Sequence, residues 1–548
     1  MKGGFILDLL MRAAIQIFGL LAVLTAAPIG QNIEQIAPGK RPAARIAASF
    51  DGLGVGFAGP QGSATLRNPS DNSLAVGPHH IVQTVNSRMA IFTKKGSRYP
   101  ETGRVLYGPV NTNNVFRGFG GTCEARNNGD AVVRYDQLAQ RWLIVMPIFG
   151  RGAERPDQPP VWTARATAYD SPPGVANQRG KPEPLYEPPE ATGTAEGGPK
   201  PTAKPVPAKG PYSMCYAVST SDDPMGSYYR YEFLRPLFPD YPRPAVWPDG
   251  YYVPTSTGDE VIEKHACVVE RNAMIAGRPA REQCFVINGV NFLNNADLDG
   301  KEAPPAGAPN VMMAAGGTQL KKVFEDDAIL SWKMYTDWND GTKSRLEGPA
   351  RIPVAPYHYL CDGQLTNCVP QRAAERRLDA QGDKIMARLV YRRIGAQQSI
   401  VAVHSVNTEA GGGGVRWYEF RLDRQSTPRL FQQGTYALTG YRWMASPAID
   451  KLGNIGIGYS YGAADQFAGQ RFAGRTANDP RGQLTLNEAV LVEGEDAQTN
   501  TLRWQDYTQT AIDPEDDCTI WYVGDYIKKG ATSYSTRIGA FQLPGCGS

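Results

Sequence analysis

A short phrase recurs along this chain: a β-prone run, a turn built on Asp, Pro or Gly, and a second β-prone run. Because these residues favour tight turns, each copy predicts a strand, a turn and a second strand. The turn positions Gly77 and Asp136 are 59 residues apart, and Asp450 and Asp513 are 63 residues apart. The clear copies are 75–83, 132–145, 245–253, 448–459 and 511–523. A period of roughly 60 residues is typical of a repeat architecture.

The longer intervals fit the same period. From Asp136 to Asp249 there are 113 residues, and about 60 of these belong to one Pro- and Gly-rich insertion. The 201 residues from Asp249 to Asp450 fit three steps, with weaker β-prone segments at 327–332 and 384–392. Seven such units, each of four antiparallel strands, predict an all-β chain folded as a single β-propeller. A pair of β-sandwich domains is the alternative, because it also contains many short strands.

The local composition separates an N-terminal segment and an insertion from the repeated units. Residues 28–66 are predicted to be an extended N-terminal lead, and residues 67–548 are assigned to the propeller. The insertion at 151–210 contains runs such as GGPKPTAKPVPAKGP, a composition that cannot bury a core. We therefore expect the insertion to be disordered and to project from the surface of one blade. We do not expect it to mark a domain boundary.

Residues 1–27 have the features of a secretory signal peptide. Lys2 and Arg12 precede an apolar run at 13–26, and small residues before Pro28 offer a cleavage site. The apolar run is shorter than the roughly 20 residues that a membrane-spanning helix needs. We expect cleavage, a secreted or periplasmic location and no transmembrane segment in the mature chain. An uncleaved membrane anchor is the alternative.

Eight cysteines in an exported chain favour disulfide bonds, although eight cysteines permit 105 pairings. Proximity in sequence suggests Cys361 with Cys368, Cys267 with Cys284 and Cys518 with Cys546, which leaves Cys123 and Cys215. Structural zinc is the weaker interpretation, because there is no CxxC pair and the five histidines are dispersed apart from one adjacent pair.

The entries to the predicted innermost strands carry the candidate catalytic residues. Innermost strands run along the central channel of a propeller, so residues just before them meet at one mouth. Paired carboxylates there can supply the acid and base, or the nucleophile, of glycoside cleavage. The candidate carboxylates are Asp130, Asp240, Asp383 and Asp506. Turn capping and buried ion pairs are the alternative explanations for them.

The same entries contain cations and aromatic rings. Arg442 and Arg503 are candidates to orient a carboxylate or sulfate, because a guanidinium binds such groups through two parallel hydrogen bonds. Packing between blades is the alternative for the Arg-Trp pairs. The aromatic residues that we expect to stack on sugar faces are Trp443, Trp504, Tyr241 and Tyr507.

One segment resembles the start of a calcium-binding loop. Asn295, Asp297 and Asp299 place oxygen ligands at alternating positions, and Gly300 follows at the sixth. The twelfth position is Ala306, where an EF-hand loop requires Glu, so a complete EF-hand is excluded. Calcium is therefore a weak cofactor prediction, and no other cofactor is indicated.

Several phrases resemble an uncharacterised family of secreted bacterial proteins with seven-bladed propellers. These phrases are AVGPHHIVQTVNS (75–87), NNGDAVVRYDQLAQRW (127–142), DYPRPAVWPDGYYV (240–253), GVRWYEFR (414–421) and RWQDYTQTAIDPEDDCTIWY (503–522). The resemblance implies export and a propeller. The likeness to sialidases is at the level of fold only, since the sialidase Asp-box is absent and two entry arginines stand where sialidases use three.

The leading hypothesis is a secreted propeller that binds or cleaves extracellular carbohydrate at the channel mouth, as a glycoside hydrolase if it is an enzyme. The alternative is a non-catalytic binding, adhesion or scaffold module. The net charge of +3 argues against a nucleic-acid partner, because such binders normally have a strong basic excess. We expect a monomer whose ligand is a glycan or another small molecule.

Overall fold

The computed structural model describes residues 33–63, 66–150, 167–168, 211–235, 238–256, 263–290, 292–316, 327–363 and 367–547. The described chain is almost entirely β-structure. Its two α-helices have five residues each, Gly121–Ala125 and Arg271–Ile275. Its three 3-10 helices are Thr112–Phe116, Gly341–Lys343 and Leu360–Asp362.

The strands form four-stranded antiparallel units, which we number as blades in chain order. Blade 1 consists of Ser73–Val76, His80–Val85, Arg88–Thr93 and Val105–Asn111. Blade 2 consists of Val132–Asp136, Arg141–Pro147, Tyr212–Ser219 and Tyr228–Arg235, with Thr167–Ala168 added at its outer edge. Blade 3 consists of Ala245–Trp247, Gly250–Tyr252, Glu263–Val269 and Glu282–Asn288, and Thr255–Ser256 also pairs with its third strand.

The next three blades repeat this pattern. Blade 4 consists of Asn294–Leu298, Asn310–Ala315, Ala328–Tyr335 and Arg345–Pro353. Blade 5 consists of Leu389–Ile394, Gln397–Asn407, Gly413–Leu422 and Pro428–Tyr436. Blade 6 consists of Tyr441–Ile449, Ile455–Ala463, Gln466–Arg475 and Ala489–Val492. Two hairpins lie outside the blades, Ala58–Gly59 with Gly62–Ser63 and Asn367–Gln371 with Ala374–Asp379.

Blade 7 is assembled from both ends of the described chain. Its first three strands are Gln509–Ile512, Ile520–Tyr526 and Ser535–Gln542, and its outermost strand is the N-terminal segment Arg45–Asp51. Upstream of that strand, Glu34–Gln35 pairs with the outermost strand of blade 5. The N-terminal segment thus contacts blade 5 and completes blade 7.

The innermost strands close a ring. Each innermost strand lies against those of the neighbouring blades, and the innermost strand of blade 7 lies against that of blade 1. The prediction of an all-β propeller is therefore confirmed, with seven four-stranded blades among the described strands. The period of the sequence corresponds to one blade.

The recurring aspartates cap the turn between the first two strands of a blade. Oδ1 of Asp136 accepts hydrogen bonds from the amides of Leu138 and Ala139. Oδ1 of Asp450 likewise accepts from the amides of Leu452 and Asn454. Asp side chains stabilise tight turns in this way, so the repeat seen in the sequence has a structural cause.

The described chain is held by a buried core and by four disulfide bonds. Five tryptophans, Trp142, Trp247, Trp417, Trp443 and Trp504, are almost completely buried. The disulfides join Cys123 to Cys215, Cys267 to Cys284, Cys361 to Cys368 and Cys518 to Cys546. The three pairings inferred from proximity are confirmed, and the two remaining cysteines, Cys123 and Cys215, also pair. The four bonds are consistent with an oxidising compartment.

Two predictions lie outside the described residues. These are the signal peptide at 1–27 and, apart from Thr167–Ala168, the insertion at 151–210. In the part of the chain that the structure describes, neither α-helix approaches the length or apolar character that a bilayer-spanning helix needs.

Candidate active site at the channel mouth

The mouth is the end of the channel at which the innermost strands begin, and its backbone is unusual. Asp71, Asp130, Tyr241 and Asp506 precede the innermost strands of blades 1, 2, 3 and 7, and their φ angles lie between 48° and 61°. A residue other than glycine adopts this left-handed backbone conformation at a cost of roughly 1–2 kcal/mol. Conformations of this kind cluster at functional sites.

Asp130 and Asp240 form a half-buried acid pair at this mouth. Oδ1 of Asp240 accepts a 2.9 Å hydrogen bond from the amide of Tyr241, and the carboxyl groups of Asp130 and Asp240 interact with each other. Burial, and then the charge of Asp240, raise the pKa of Asp130 to about 7. Burial also raises the pKa of Asp240. Two interacting carboxyl groups of this kind titrate as a coupled pair.

Arg503 and Asp506 form an ion pair beside this acid pair. The guanidinium contacts both carboxylate oxygens, with Nε at 3.3 Å from Oδ1. The side chain of Arg503 is 36% exposed, whereas that of Asp506 is 7% exposed. Arg503 can therefore meet a ligand on its exposed side while Asp506 holds it in place.

Tyr241 and Tyr507 stack on each other between the acid pair and the opposite side of the mouth. Their ring centroids are 4.1 Å apart, and both side chains are buried. The Tyr507 hydroxyl donates a 2.9 Å hydrogen bond to Oδ2 of Asp130, and the Tyr241 hydroxyl donates to the backbone oxygen of Asp506. These rings cover each other's faces, so in this arrangement they orient the acids and do not present a surface to a sugar.

Further carboxyl groups adjoin the mouth. Gln381 donates from Nε2 to Oδ2 of Asp379 at 2.8 Å and to Oδ1 of Asp506 at 3.3 Å. Burial, followed by the charge of Asp506, raises the pKa of Asp379 to about 6. Burial, together with the charges of Asp130 and Asp506, raises the pKa of Asp71. The mouth is therefore acidic on the side of blades 1, 2 and 7.

Asp383 also lies at the mouth, on the side of blade 5. It is buried and forms a 3.0 Å ion pair with Lys384. Lys384 in turn donates to Oε1 of Gln381. Of the ten residues proposed for catalysis or ligand binding, the structure thus brings seven together: Asp130, Asp240, Asp383, Asp506, Arg503, Tyr241 and Tyr507.

The other three residues lie away from the mouth. Arg442 is buried and forms an ion pair with Glu488, with Nε 2.7 Å from Oε1. The indoles of Trp443 and Trp504 are completely buried, with centroids 6.1 Å apart. Arg442 thus forms an ion pair within blade 6, and the two indoles pack against each other.

Below the mouth the channel contains buried ion pairs. Arg134 lies 3.2 Å from Asp297, and Arg388 lies 2.5 Å from both Asp297 and Asp299. These side chains line a cavity with about 480 Å³ of empty volume, part of it open to solvent. Arginine–aspartate pairs therefore obstruct the channel between its two ends.

This arrangement corrects the calcium prediction for Asn295, Asp297 and Asp299. The three residues lie in and just after a strand, and the guanidinium of Arg388 joins the two carboxylates that would have to bind the ion. Asn295 donates a 2.9 Å hydrogen bond to Asn310. The segment is thus an ion-pair strand and not a calcium loop.

One other group of metal-ligand residue types converges in the described part of the chain, Cys267, Glu282 and Cys284. The two sulfurs form a disulfide, and Glu282 lies 2.7 Å from Arg235. Neither sulfur is therefore a thiolate that can bind a metal.

Sequence reasoning missed the basic residues of the mouth, Arg243, Lys264 and Lys384. Arg243 and Lys384 stand within three residues of proposed site residues, so a search of the residues just before each innermost strand could have found them. Lys264 is the second residue of the third strand of blade 3, a position that such a search does not cover.

No protein-family model and no curated protein matches this chain. Among solved structures, it is similar to an ulvan lyase of polysaccharide lyase family PL25 with bound oligosaccharide, at 11% identity and a TM-score of 0.34 over 93% of this chain and 96% of that one. It is also similar to a protein of unknown function from Dyadobacter fermentans DSM 18053, at 11% identity and 0.33 over 92% and 100%. The polysaccharide lyase Uly1 gives 9% identity and 0.33 over 92% and 100%.

Proposed function

We propose that this protein is a secreted or periplasmic propeller that binds an extracellular saccharide at the channel mouth and cleaves a glycosidic bond by proton donation. The observation that carries the proposal is the half-buried Asp130–Asp240 pair, in which the pKa of Asp130 is raised to about 7. A general acid works best when its pKa lies near the working pH. The proposal rests on these side chains and not on the distant structural likenesses.

The pair acts as one proton-carrying unit. Carboxyl groups that serve separately as acid and nucleophile or base stand roughly 5–10 Å apart, whereas we assign Asp130 and Asp240 to one coupled pair because each acts on the pKa of the other. The second carboxylate of the mechanism is therefore assigned to Asp506, whose charge reaches Asp130 and which Arg503 holds by an ion pair.

The proposed reaction is a hydrolysis. The pair gives its proton to the glycosidic oxygen as the bond from that oxygen to the anomeric carbon breaks, and Asp506 stabilises the positive charge that develops on the sugar. Water then adds to the anomeric carbon and returns a proton to the Asp130–Asp240 pair. Tyr507 keeps Asp130 oriented through its hydrogen bond.

A second candidate is a non-catalytic saccharide-binding module. The specific observation in its favour is the buried set of ion pairs between Arg134, Arg388 and Asp297, which obstructs the channel as a structural plug would. In this case the mouth holds a ligand without breaking it, and Arg503 contributes a binding contact.

The test uses the purified mature protein with a panel of neutral, uronic-acid and sulfated oligosaccharides. Binding is measured by calorimetry and cleavage by chromatography of the products. The variants are Asp130→Asn and Asp240→Asn. The matched control is Asp249→Asn, because Asp249 is a half-buried carboxyl of blade 3 whose pKa burial raises to about 6, in the turn that follows the innermost strand.

The proposal expects the unchanged protein to release products from at least one oligosaccharide. Both mouth variants should lose about 100-fold or more of the rate, while the control keeps it. Binding without product release supports the second candidate and overturns hydrolysis. Absence of binding to every saccharide, or equal loss of rate in the control, overturns both.

A further inference from the structure

Three cations converge on one phenylalanine at the mouth. Nζ of Lys384 lies 4.2 Å from the ring centroid of Phe292, Nζ of Lys264 lies 5.3 Å from it, and Cζ of Arg243 lies 4.9 Å from it. Arg243 precedes the innermost strand of blade 3, Lys264 is the second residue of the third strand of that blade, and Lys384 precedes blade 5. We name Arg243, Lys264 and Lys384 around Phe292 the basic cluster.

The basic cluster is buried, so keeping its side chains charged costs free energy. Arg243 is 4% exposed, and Lys264 and Lys384 are 1% exposed. Burial, and then the charge of Arg243, lower the pKa of Lys264 to about 7, and Lys384 acts in the same direction. Like charges brought together out of water are retained only when an opposite charge or a special function offsets the cost.

Two nearby carboxyl groups act on this charge. Asp383 and Asp240 are the carboxyl groups that act most strongly on Arg243 and Lys264. Asp383 is already paired with Lys384, and burial raises the pKa of Asp240. Among the described residues, the buried Nε of Arg243 has no hydrogen-bond acceptor. Within the basic cluster, Arg243 therefore keeps one unused donor among the described residues.

The basic cluster adjoins the acid pair. Cζ of Arg243 lies 4.3 Å from the ring centroid of Tyr241, and Tyr241 stacks on Tyr507, which binds Asp130. One stacked pair of rings thus separates the cations from the proton donor. The basic cluster and the acid pair thus contact the same stacked rings.

We infer that the basic cluster is the subsite for an acidic group, a carboxylate or a sulfate, on the saccharide that the mouth binds. The inference rests on the proposed function and assigns the substrate class: an anionic saccharide of uronic-acid or sulfated type. It also transfers the anion-binding role expected of Arg442 to residues that the structure places at the mouth.

The test compares three probes: a galacturonic-acid trisaccharide, a sulfated galactan oligosaccharide and a neutral oligosaccharide of similar length. Affinities are measured by calorimetry for the unchanged protein and for Lys264→Met and Lys384→Met. The control is Lys333→Met, because Lys333 also lies over an aromatic ring, Tyr335, but in blade 4 and paired with Glu347. A carboxylate subsite prefers the first probe, and a sulfate subsite prefers the second.

We expect at least one acidic probe to bind about tenfold or more tightly than the neutral one, since hydrogen bonds to charged groups have this magnitude. Lys264→Met and Lys384→Met should abolish the preference, while Lys333→Met keeps it. Equal affinity for all probes, or a preference that survives both cluster variants, overturns the inference.

A second measurement separates this inference from the proposed function. Titration of Lys264 is followed by NMR of lysine labelled with carbon-13, with Lys264→Met to assign the signal. Glucuronate or sulfate should raise the pKa of Lys264, whereas glucose should leave it unchanged. If neither anion moves it, the subsite is wrong even where saccharides are cleaved. If an anion moves it but Asp130→Asn leaves all cleavage intact, the proposed mechanism is wrong and the subsite stands.

Discussion

The hydroxyl of Tyr507 donates a 2.9 Å hydrogen bond to Oδ2 of Asp130, across 377 residues of sequence. Tyr507 enters blade 7 and Asp130 enters blade 2. Their contact exists because the ring closes and brings the entries of distant blades to one mouth. The acid pair is therefore a product of the whole fold and not of any single blade.

Replacing Tyr507 by phenylalanine should raise the pKa of Asp130 by about one unit. The hydroxyl stabilises the charged carboxylate and so lowers the pKa of Asp130 against the effect of burial. A hydrogen bond to a charged group is worth about 1.5–3 kcal/mol, enough for a shift of this size. An NMR pH titration of the aspartate carboxyl measures the shift. Tyr241→Phe is the control, since that hydroxyl binds a backbone oxygen. An unchanged or lowered pKa in Tyr507→Phe contradicts the assignment.

Replacing Arg388 by methionine should cost about 3–5 kcal/mol of unfolding free energy. The substitution leaves Asp299, and in part Asp297, buried without the cation that neutralises them. Denaturant unfolding measures the loss. Adding Asp297→Asn and Asp299→Asn to the variant should restore much of the stability, because no unpaired charge then remains. A loss below 1 kcal/mol in the single variant would show that the channel ion pairs are hydrated and not a plug.

Ring closure depends on the N-terminal strand. Phe50 of that strand packs against Phe92 of blade 1, with centroids 5.3 Å apart. Phe50→Ala should therefore lower the unfolding free energy by about 2–3 kcal/mol. Ile46→Ala, at a 40% exposed position of the same strand, should cost about 0.5 kcal/mol or less. Equal effects of the two substitutions in denaturant unfolding would contradict a closing role for Phe50.

A buried carboxyl group near the mouth should make stability depend on pH. Asp525 is 1% exposed, and burial raises its pKa to about 7. The folded protein thus holds this proton more tightly than the unfolded chain does. Relative to Asp525→Asn, the unchanged protein should lose up to about 4 kcal/mol of unfolding free energy as pH rises from about 4 to about 7. Denaturant unfolding of both proteins at several pH values measures this difference. A constant difference would mean that Asp525 has an ordinary pKa.

The sequence was informative where one local signal marks one local structure. The aspartate turns, such as the one at Asp136, cap hairpins in consecutive blades and gave the period of the propeller. Cysteines close in sequence, such as Cys361 and Cys368, lie in one local loop and paired as expected. Choosing the residues just before the innermost strands also identified Asp130, Asp240 and Asp506, which lie at the same mouth because ring closure places equivalent positions together.

The features of the fold and the site that could not be predicted depend on contacts with residues that no local sequence pattern reveals. The Arg-Trp phrase at Arg442 predicted a ligand site, but the partner of this arginine is Glu488 in the same blade. The strand Arg45–Asp51 completes a blade whose other strands begin at Gln509, so neighbouring residues give no sign of its role. Lys264 of the basic cluster escaped notice because it lies in a third strand, whereas the candidate residues were sought just before the innermost strands.

The central claim is that the Asp130–Asp240 pair holds a proton at neutral pH. An NMR pH titration of the mature protein, labelled with carbon-13 in its aspartate carboxyls, tests this claim directly, with Asp130→Asn to assign the signals. The account predicts an apparent midpoint near pH 7 for the pair, and its disappearance in Asp130→Asn. Midpoints of about 4 for both residues in the folded protein, the ordinary value for aspartate, would contradict it.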